Sequence, residues 1–412
     1  VQITRPDTRT ALVIGGGIGG PVAAMALQRA GIEATVYEAY AGTADGVGGA
    51  LSIAPNGLDA LDAIGAGDAV RRVGSPMTAI VLESWNGRRL AEFGTPAGLP
   101  PQQVVLRTEL YRALHDEAAR RGIRTEYGKR LVAAETTEQA VTARFADGTE
   151  ARADVLVGSD GIRSTVRRII DPAAPEPRYA GLQGFGAIVP ESGLASTGGR
   201  MHMTFGKRAF FGLQVFDDGT AVWFVNLPHR EPLTTAQARA LGAETWLARL
   251  REACAGDRTP AVALIDRTPP EELIVTGPSE AMPRVPAWYR DRMVLIGDAA
   301  HAASSSSGQG ASLAAESAVQ LARCLRDLPR DRAFPAYEAL RRERVERIIA
   351  AAARTNSGKA AGPVGRVIRD ALMPVFMKFA DLDKAAAPFR HHIDWAAPVT
   401  PAAAPGHAVA AV

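Results

Sequence analysis

Three acidic residues stand where short apolar runs end. Glu38 follows Thr35-Val36-Tyr37, Asp160 follows Val155-Leu156-Val157-Gly158-Ser159, and Asp298 follows Met293-Val294-Leu295-Ile296-Gly297. A carboxylate at the carboxyl end of a strand lines the ligand crevice of an open sheet, where it can accept hydroxyl protons from a sugar or polyol. Glycines ahead of the first acid suit a different group. Gly15, Gly17 and Gly20 lie in Gly15-Gly16-Gly17-Ile18-Gly19-Gly20, directly after Ala11-Leu12-Val13-Ile14. The first permits a tight turn, the second lets backbone approach a diphosphate, and the third lets helix and strand pack closely. The helix that follows adds unpaired N–H groups and partial positive charge. Glu38, eighteen residues past Gly20, is placed for ribose hydroxyls and would repel a 2′-phosphate. The opening of the chain therefore reads as a site for an ADP moiety.

These groups need a scaffold, and the spacing predicts one. Strands are expected over 11–16 and 33–38 with a helix over 18–30 between them, then a helix over 56–64 that stops at Gly65. Ile80-Val81-Leu82 has strand character and turns at Asn86-Gly87. Val104-Val105-Leu106-Arg107 leads into a helix over 109–121, ended by Gly122. Residues 131–158 read as a hairpin-like pattern turning at Asp147-Gly148. Residues 181–226 change character: several strand patterns rich in Met, Phe and Trp predict an antiparallel sheet as a separate layer. Residues 235–254 read as helical. The nucleotide-domain style returns at Met293–Ile296, followed by helices over about 310–325, 333–354 and 363–380. The Ala/Pro-rich stretch 396–412 is expected to be a disordered tail.

Composition narrows the class. The 412 residues are 47% apolar and 22% charged, as in a soluble globular enzyme, and the length favours two domains. Net charge is +3 and basic residues alternate with acidic ones, so neither a nucleic-acid nor a membrane footprint is expected. The uncharged stretch 11–28 is broken by clustered glycines and Pro21, which argues against a spanning segment. Cys254 and Cys324 lie on apolar helical stretches and read as buried thiols, too few for a disulfide framework. A cytoplasmic monomer or homodimer without a metal is the expectation.

Taken together, three signatures resemble the single-component flavoprotein aromatic hydroxylases, the class of para-hydroxybenzoate hydroxylase. They are the glycine fingerprint with Glu38, the "DG" motif Gly158-Ser159-Asp160-Gly161-Ile162-Arg163-Ser164, and the "GD" motif Gly297-Asp298-Ala299-Ala300-His301 with Gly308-Gln309-Gly310. The resemblance covers about residues 10–350. It implies an α/β fold: a doubly wound FAD-binding domain, discontinuous over 1–72, 100–180 and 278–360. An antiparallel-sheet substrate domain (73–99 and 181–277) is inserted in it, and a C-terminal helical region covers 361–395. Asp298 would bind the ribityl chain, Gly310 would sit beside the isoalloxazine, and Gly297 and Gly308 would also bind the cofactor. Asp160 would contribute where the pyrophosphate is held and NAD(P)H approaches, and Arg107 would reach FAD from the start of its helix. Two residues depart from the pattern: Ser305 stands at a usual proline, and Ser317 replaces an acid after Glu316.

The resemblance also implies the chemistry. NAD(P)H reduces the flavin, O2 adds at C4a to give a hydroperoxide, and its distal oxygen passes to an electron-rich carbon of an aromatic or polycyclic, polyketide-like substrate. Epoxidation, Baeyer–Villiger oxygenation, or oxidase and reductase activity on the same scaffold remain open. No side chain is assigned a catalytic role, and His301 is expected to order its loop. Candidate pocket walls are Met201, Met203 and Phe205 on one strand face, Phe211 and Leu213 on another, and Trp223 and Phe224. The same period-two spacing fits a face that only packs a core. Lys207 and Arg208 lie near a turn, and the last helix, with Met373, Phe376 and Met377, is placed to close the pocket.

Overall fold

The computed structural model of the chain describes residues 7–42, 49–304, 307–359, 362–379 and 381–400. Ser305 and positions 401–412 of the expected tail lie outside the described residues. The first sheet runs in the order Tyr289–Arg290, Met293–Leu295, Val155–Gly158, Thr10–Ile14, Glu33–Tyr37, Arg124–Glu126. All its pairings are parallel except the edge pair Tyr289–Arg290 with Met293–Leu295. Its central strands are apolar throughout because helices cover both faces of a parallel sheet. Residues 11–14, 155–157 and 293–295 are all buried. The helix Gly19–Arg29 buries Pro21–Leu27 against it, and the helices Arg107–Arg120 and Gly310–Asp327 also contribute to this core. Parallel strands Thr10–Ile14, Val155–Gly158 and Met293–Leu295 are adjacent, so their carboxyl ends carry the glycine turn, Asp160 and Asp298 to one edge.

The inserted layer is a seven-stranded sheet in the order Ile274–Ala281, Arg178–Val189, Ala221–Pro228, Phe210–Val215, Arg200–Phe205, Ala79–Ser84, Arg89–Gly94. It is antiparallel apart from one junction: Arg200–Phe205 pairs in parallel with Ala79–Ser84, the strand donated by the earlier segment. One face packs on helices through Phe185, Trp223, Trp246, Leu250 and Leu264. The other meets a small antiparallel sheet, Ala50–Ile53, Gln102–Leu106 and Ser75–Met77, where Met77 and Val104 touch Met201.

The single helix expected over 235–254 is two, Thr235–Ala240 and Ala243–Cys254, parted at Gly242, whose φ of 84° no helix accommodates. Helices Arg330–Lys359 and Pro363–Phe379 form the C-terminal region, and the latter sets Met373 against Leu90, Phe205 and Phe210. Among the described residues no helix is long and apolar enough to cross a membrane. Cys254 and Cys324 are buried, and burial pushes both thiols up to about 12.

Candidate cofactor and substrate site

The glycine turn is shaped by close backbone approach. Gly15 has φ 103°, and a Cβ there would lie 2.4 Å from the Ser159 carbonyl oxygen. At Gly20 a Cβ would lie 1.9 Å from the Gly15 carbonyl oxygen. Gly17 differs: the nearest atom to an added Cβ is Tyr111 Oη at 3.8 Å, so this glycine faces a groove. Glu38 accepts the Gly16 N–H at 2.6 Å and the Tyr40 N–H at 2.9 Å, fixing the turn while lone pairs remain on its carboxylate. Buried His115 holds the same turn from the Arg107–Arg120 helix, its Nε2 lying 2.6 Å from the Gly16 carbonyl oxygen. Sequence reasoning missed it. A histidine on a helix carries no mark of which loop lies opposite.

Asp160 stands directly behind this turn, its Cα 2.8 Å from where a Gly15 Cβ would sit. Its carboxylate accepts from Ser164 Oγ at 2.5 Å and from the Thr165 and Val166 N–H groups at 2.7 and 3.1 Å. It therefore caps the helix Thr165–Ile170. Burial pushes its carboxyl up, and these hydrogen bonds pull against that. Arg163 of the same motif pairs with Glu280 at 2.9 Å, joining this loop to the inserted sheet.

Asp298 opens the short helix Asp298–His301. Its side chain is solvent-accessible, and no side-chain hydrogen bond holds it among the described residues. Burial raises its carboxyl above the usual range, and the charge of Arg107 works in the other direction. Arg107 is exposed and, among the described residues, its guanidinium donates only through Nε, to Tyr111 Oη at 2.9 Å, which leaves its two terminal nitrogens to a ligand. Further along, Gly308 is exposed, and nothing lies within 4 Å of a Cβ added to Gly310, the first residue of the Gly310–Asp327 helix. Gln309 Nε2 in this loop and Asn56 Oδ1 on the adjacent Pro55–Asp62 helix are buried without a partner among the described residues. An exposed carboxylate, an available guanidinium and open glycines fit an elongated dinucleotide with a polyol linker and a polar ring edge, as FAD has.

Beneath the loop lies a buried ionic group. Glu316 Oε1 accepts from Asn56 Nδ2 at 2.6 Å, and Asn56 also donates to Gln309 Oε1 at 2.9 Å. Arg341 and Arg344 both donate to Glu316, the latter at 2.8 and 2.9 Å. Ser317, at the position where an acid was expected, lies 2.8 Å from His301 Nε2. His301 packs on Trp288, and burial, then the charge of Arg341, push it down to about 3, so it is neutral at ordinary pH.

The structure divides the expected pocket walls. Met201, Met203, Phe205 and Phe224 share the sheet face turned to the Met77/Val104 layer and the last helix. Phe211, Leu213 and Trp223 lie on the opposite face, in the core under the helices, where Trp223 Nε1 donates to Thr268 Oγ1. Alternation tells which residues share a face but not which face is packed, so these three belong to the core. Lys207 sits over Trp85 at 4.0 Å and Arg208 pairs with Glu252, both away from the groove residues. Met373 reaches the Phe205 cluster, whereas Phe376 is 69% exposed and points outward.

This fold and groove define an FAD-dependent monooxygenase, and the chain belongs to the single-component FAD-dependent aromatic hydroxylase family, with the "FAD binding domain" family model matching residues 8–352. It is similar to an FAD-dependent urate hydroxylase of Klebsiella pneumoniae subsp. pneumoniae, 31% identical over 349 residues, 82% of this chain and 87% of that one. A 6-hydroxynicotinate 3-monooxygenase of Pseudomonas fluorescens is 30% identical over 351 residues, 82% of this chain and 88% of that one. Among solved structures, that of Klebsiella pneumoniae HpxO complexed with FAD and uric acid superposes with a TM-score of 0.80 at 26% identity, covering 92% of this chain and 96% of that one.

Proposed function

We propose that the protein is an NAD(P)H- and O2-dependent hydroxylase of an aromatic or polycyclic small molecule. One observation carries this reading: the glycine turn, Asp160 and Asp298 stand at one sheet edge, and the loop that follows Asp298 reaches the apolar layer of Met77, Val104 and Met201 through Ser52, whose hydroxyl lies 3.5 Å from the Gly308 carbonyl oxygen. The segments 1–72, 100–180 and 278–360 bind FAD, 73–99 and 181–277 bind the substrate, and 361–395 cover the site. Gly15, Gly17, Gly20 and Glu38 hold the adenosine diphosphate half, with Asp160 stiffening the turn from behind. Arg107 neutralises phosphate charge, Asp298 accepts ribityl hydroxyls, Gly308 and Gly310 admit the ring, and Gly297 lets the strand end pack closely on Ala314 beneath the cofactor. When bound, FAD supplies the redox and oxygen-transfer chemistry. The chain positions the substrate, excludes water, and presents the positive end of the Gly310–Asp327 helix to developing negative charge. His301 is neutral and turned to Ser317, so it orders the loop and moves no proton. Related 6-hydroxynicotinate and urate hydroxylases act on flat, polar-edged rings, which fits this pocket.

The test is a screen of phenols and fused-ring compounds with NADPH or NADH under oxygen-18 gas, read by mass spectrometry. One labelled atom in a ring hydroxyl is the expected product. Label at an epoxide or inserted as an ester oxygen would move the enzyme to the alternative oxygenations, and hydrogen peroxide alone across the panel would overturn oxygen transfer. Asp298→Ala is expected to purify with most of its FAD lost, because it removes the exposed carboxylate at the end of the Met293–Leu295 strand. Flavin content after gel filtration equal to wild type would contradict the assignment.

A further inference from the structure

On the substrate-domain sheet, register places Gln214 opposite Val222, and Gly212 opposite both Met203 and Phe224. Gln214 thus projects to the same side as Gly212, away from Leu213 and Val215, which are in the helix-covered core. Its surroundings on that side are apolar: Met77, Val104, Met201, Met203, Phe216 and Phe224 form one cluster there. Gln214 is 1% exposed, and its amide oxygen is buried with no hydrogen-bond partner among the described residues. The layer also reaches the cofactor loop, since Val104 pairs with Ser52, whose hydroxyl lies 3.5 Å from the Gly308 carbonyl oxygen.

A buried amide with an unmet acceptor destabilises the fold, and leucine or methionine would fill this place without that cost. Such a group is explained when its partner arrives from outside. We infer that Gln214 is the residue that orients the substrate: its amide hydrogen-bonds a hydroxyl or ring N–H at the edge of a flat aromatic molecule, while Met201, Met203 and Phe224 contact the ring. This rests on the aromatic-hydroxylase reading above. It adds that the ring must carry a hydrogen-bond donor, and that bare rings are discriminated against here.

The experiment uses the FAD-loaded enzyme and the probe pair 2-naphthol and naphthalene, with binding read by flavin difference absorbance. Wild type is expected to bind 2-naphthol about tenfold tighter than naphthalene, the size of one well-made hydrogen bond. Gln214→Leu is expected to bind the two alike, losing about tenfold for 2-naphthol only. Its thermal midpoint without ligand should equal or exceed that of wild type, because an unpaired polar group has been removed. Gln214→Asn, which keeps an amide, should retain part of the preference. A lowered midpoint in Gln214→Leu with equal weakening for both probes would mean that Gln214 has a structural partner, and would overturn the inference. So would an undiminished preference in Gln214→Leu. A wild type that hydroxylates nothing in the oxygen-18 screen fails the broader reading. A working wild type whose discrimination survives Gln214→Leu fails this inference alone.

Discussion

Glu316→Ala is expected to destabilise the protein by about 3–5 kcal/mol, as measured by denaturant unfolding. Glu316 has no exposed side-chain surface, Arg341 has 1%, and Arg344 has 13%. Removing the carboxylate leaves two adjacent guanidinium groups buried without a counter-charge, which costs far more than the net worth of the pair. The damage also spreads to the cofactor loop, because Asn56 bridges Glu316 and Gln309. FAD retention should therefore fall with stability. Glu316→Gln, which keeps an acceptor for Asn56 or one arginine, should lose less. A change below about 1 kcal/mol for Glu316→Ala, the range of exposed pairs, would show that solvent reaches the group.

The same cluster makes the fold acid-labile, with a defined sign. His301 falls from an ordinary 6.5 to about 3, first through burial and then through Arg341. Between those values the unfolded chain binds a proton that the folded one refuses. Stability therefore falls as pH drops below 6.5, by up to about 1.4 kcal/mol per pH unit from this group. Burial alone would raise Glu316, but Arg341 and Arg344 hold it from 4.5 down to about 2. Its contribution is complete above 4.5 and is lost as pH falls towards 2, the same direction at lower pH. Melting temperatures measured from pH 8 to 4 should decline from near 6.5; replacing His301 by a neutral residue should make that decline shallower, and His391 beside Glu316, pushed down to about 4 chiefly by burial, supplies the rest.

Much of the candidate site's geometry was legible because its constraints are local. A glycine at a turn, an acid at a strand end and the apolar run before each are set by consecutive residues, and parallel pairing then brings Gly15, Asp160 and Asp298 to one edge. What escaped depends on contacts between distant segments. The face of a strand that is buried against helices is decided by the inserted domain's packing, so Phe211, Leu213 and Trp223 could not be told from Met201 and Phe224 by spacing. His115, Asn56 and Gln214 are single polar residues in ordinary contexts, and their roles appear only when the opposite surface is known. The capping by Asp160 did have a local trace: an acid and Ser164 precede the short helix at Thr165.

Within the glycine turn, two substitutions should separate folding from binding. Gly15→Ala introduces a Cβ at φ 103° and 2.4 Å from a carbonyl oxygen of the neighbouring strand end. Backbone on both sides leaves nothing to yield, so the apoprotein should lose about 2–4 kcal/mol from strain and overpacking together. FAD loss would follow as a consequence. Gly17→Ala meets only Tyr111 Oη, at an ordinary 3.8 Å, and its φ is not in the left-handed region. The apoprotein should keep its stability within about 0.5 kcal/mol, while the methyl group takes space the diphosphate needs. Fluorescence titration with FAD should then show at least about tenfold weaker binding for Gly17→Ala, the equivalent of one lost close contact. Equal stability losses in the two apoproteins would make Gly17 a packing residue. Unchanged FAD affinity in a stable Gly17→Ala protein would mean that the groove in front of Gly17 is not where the diphosphate lies, and the ligand assignments of Glu38 and Arg107 would fall with it.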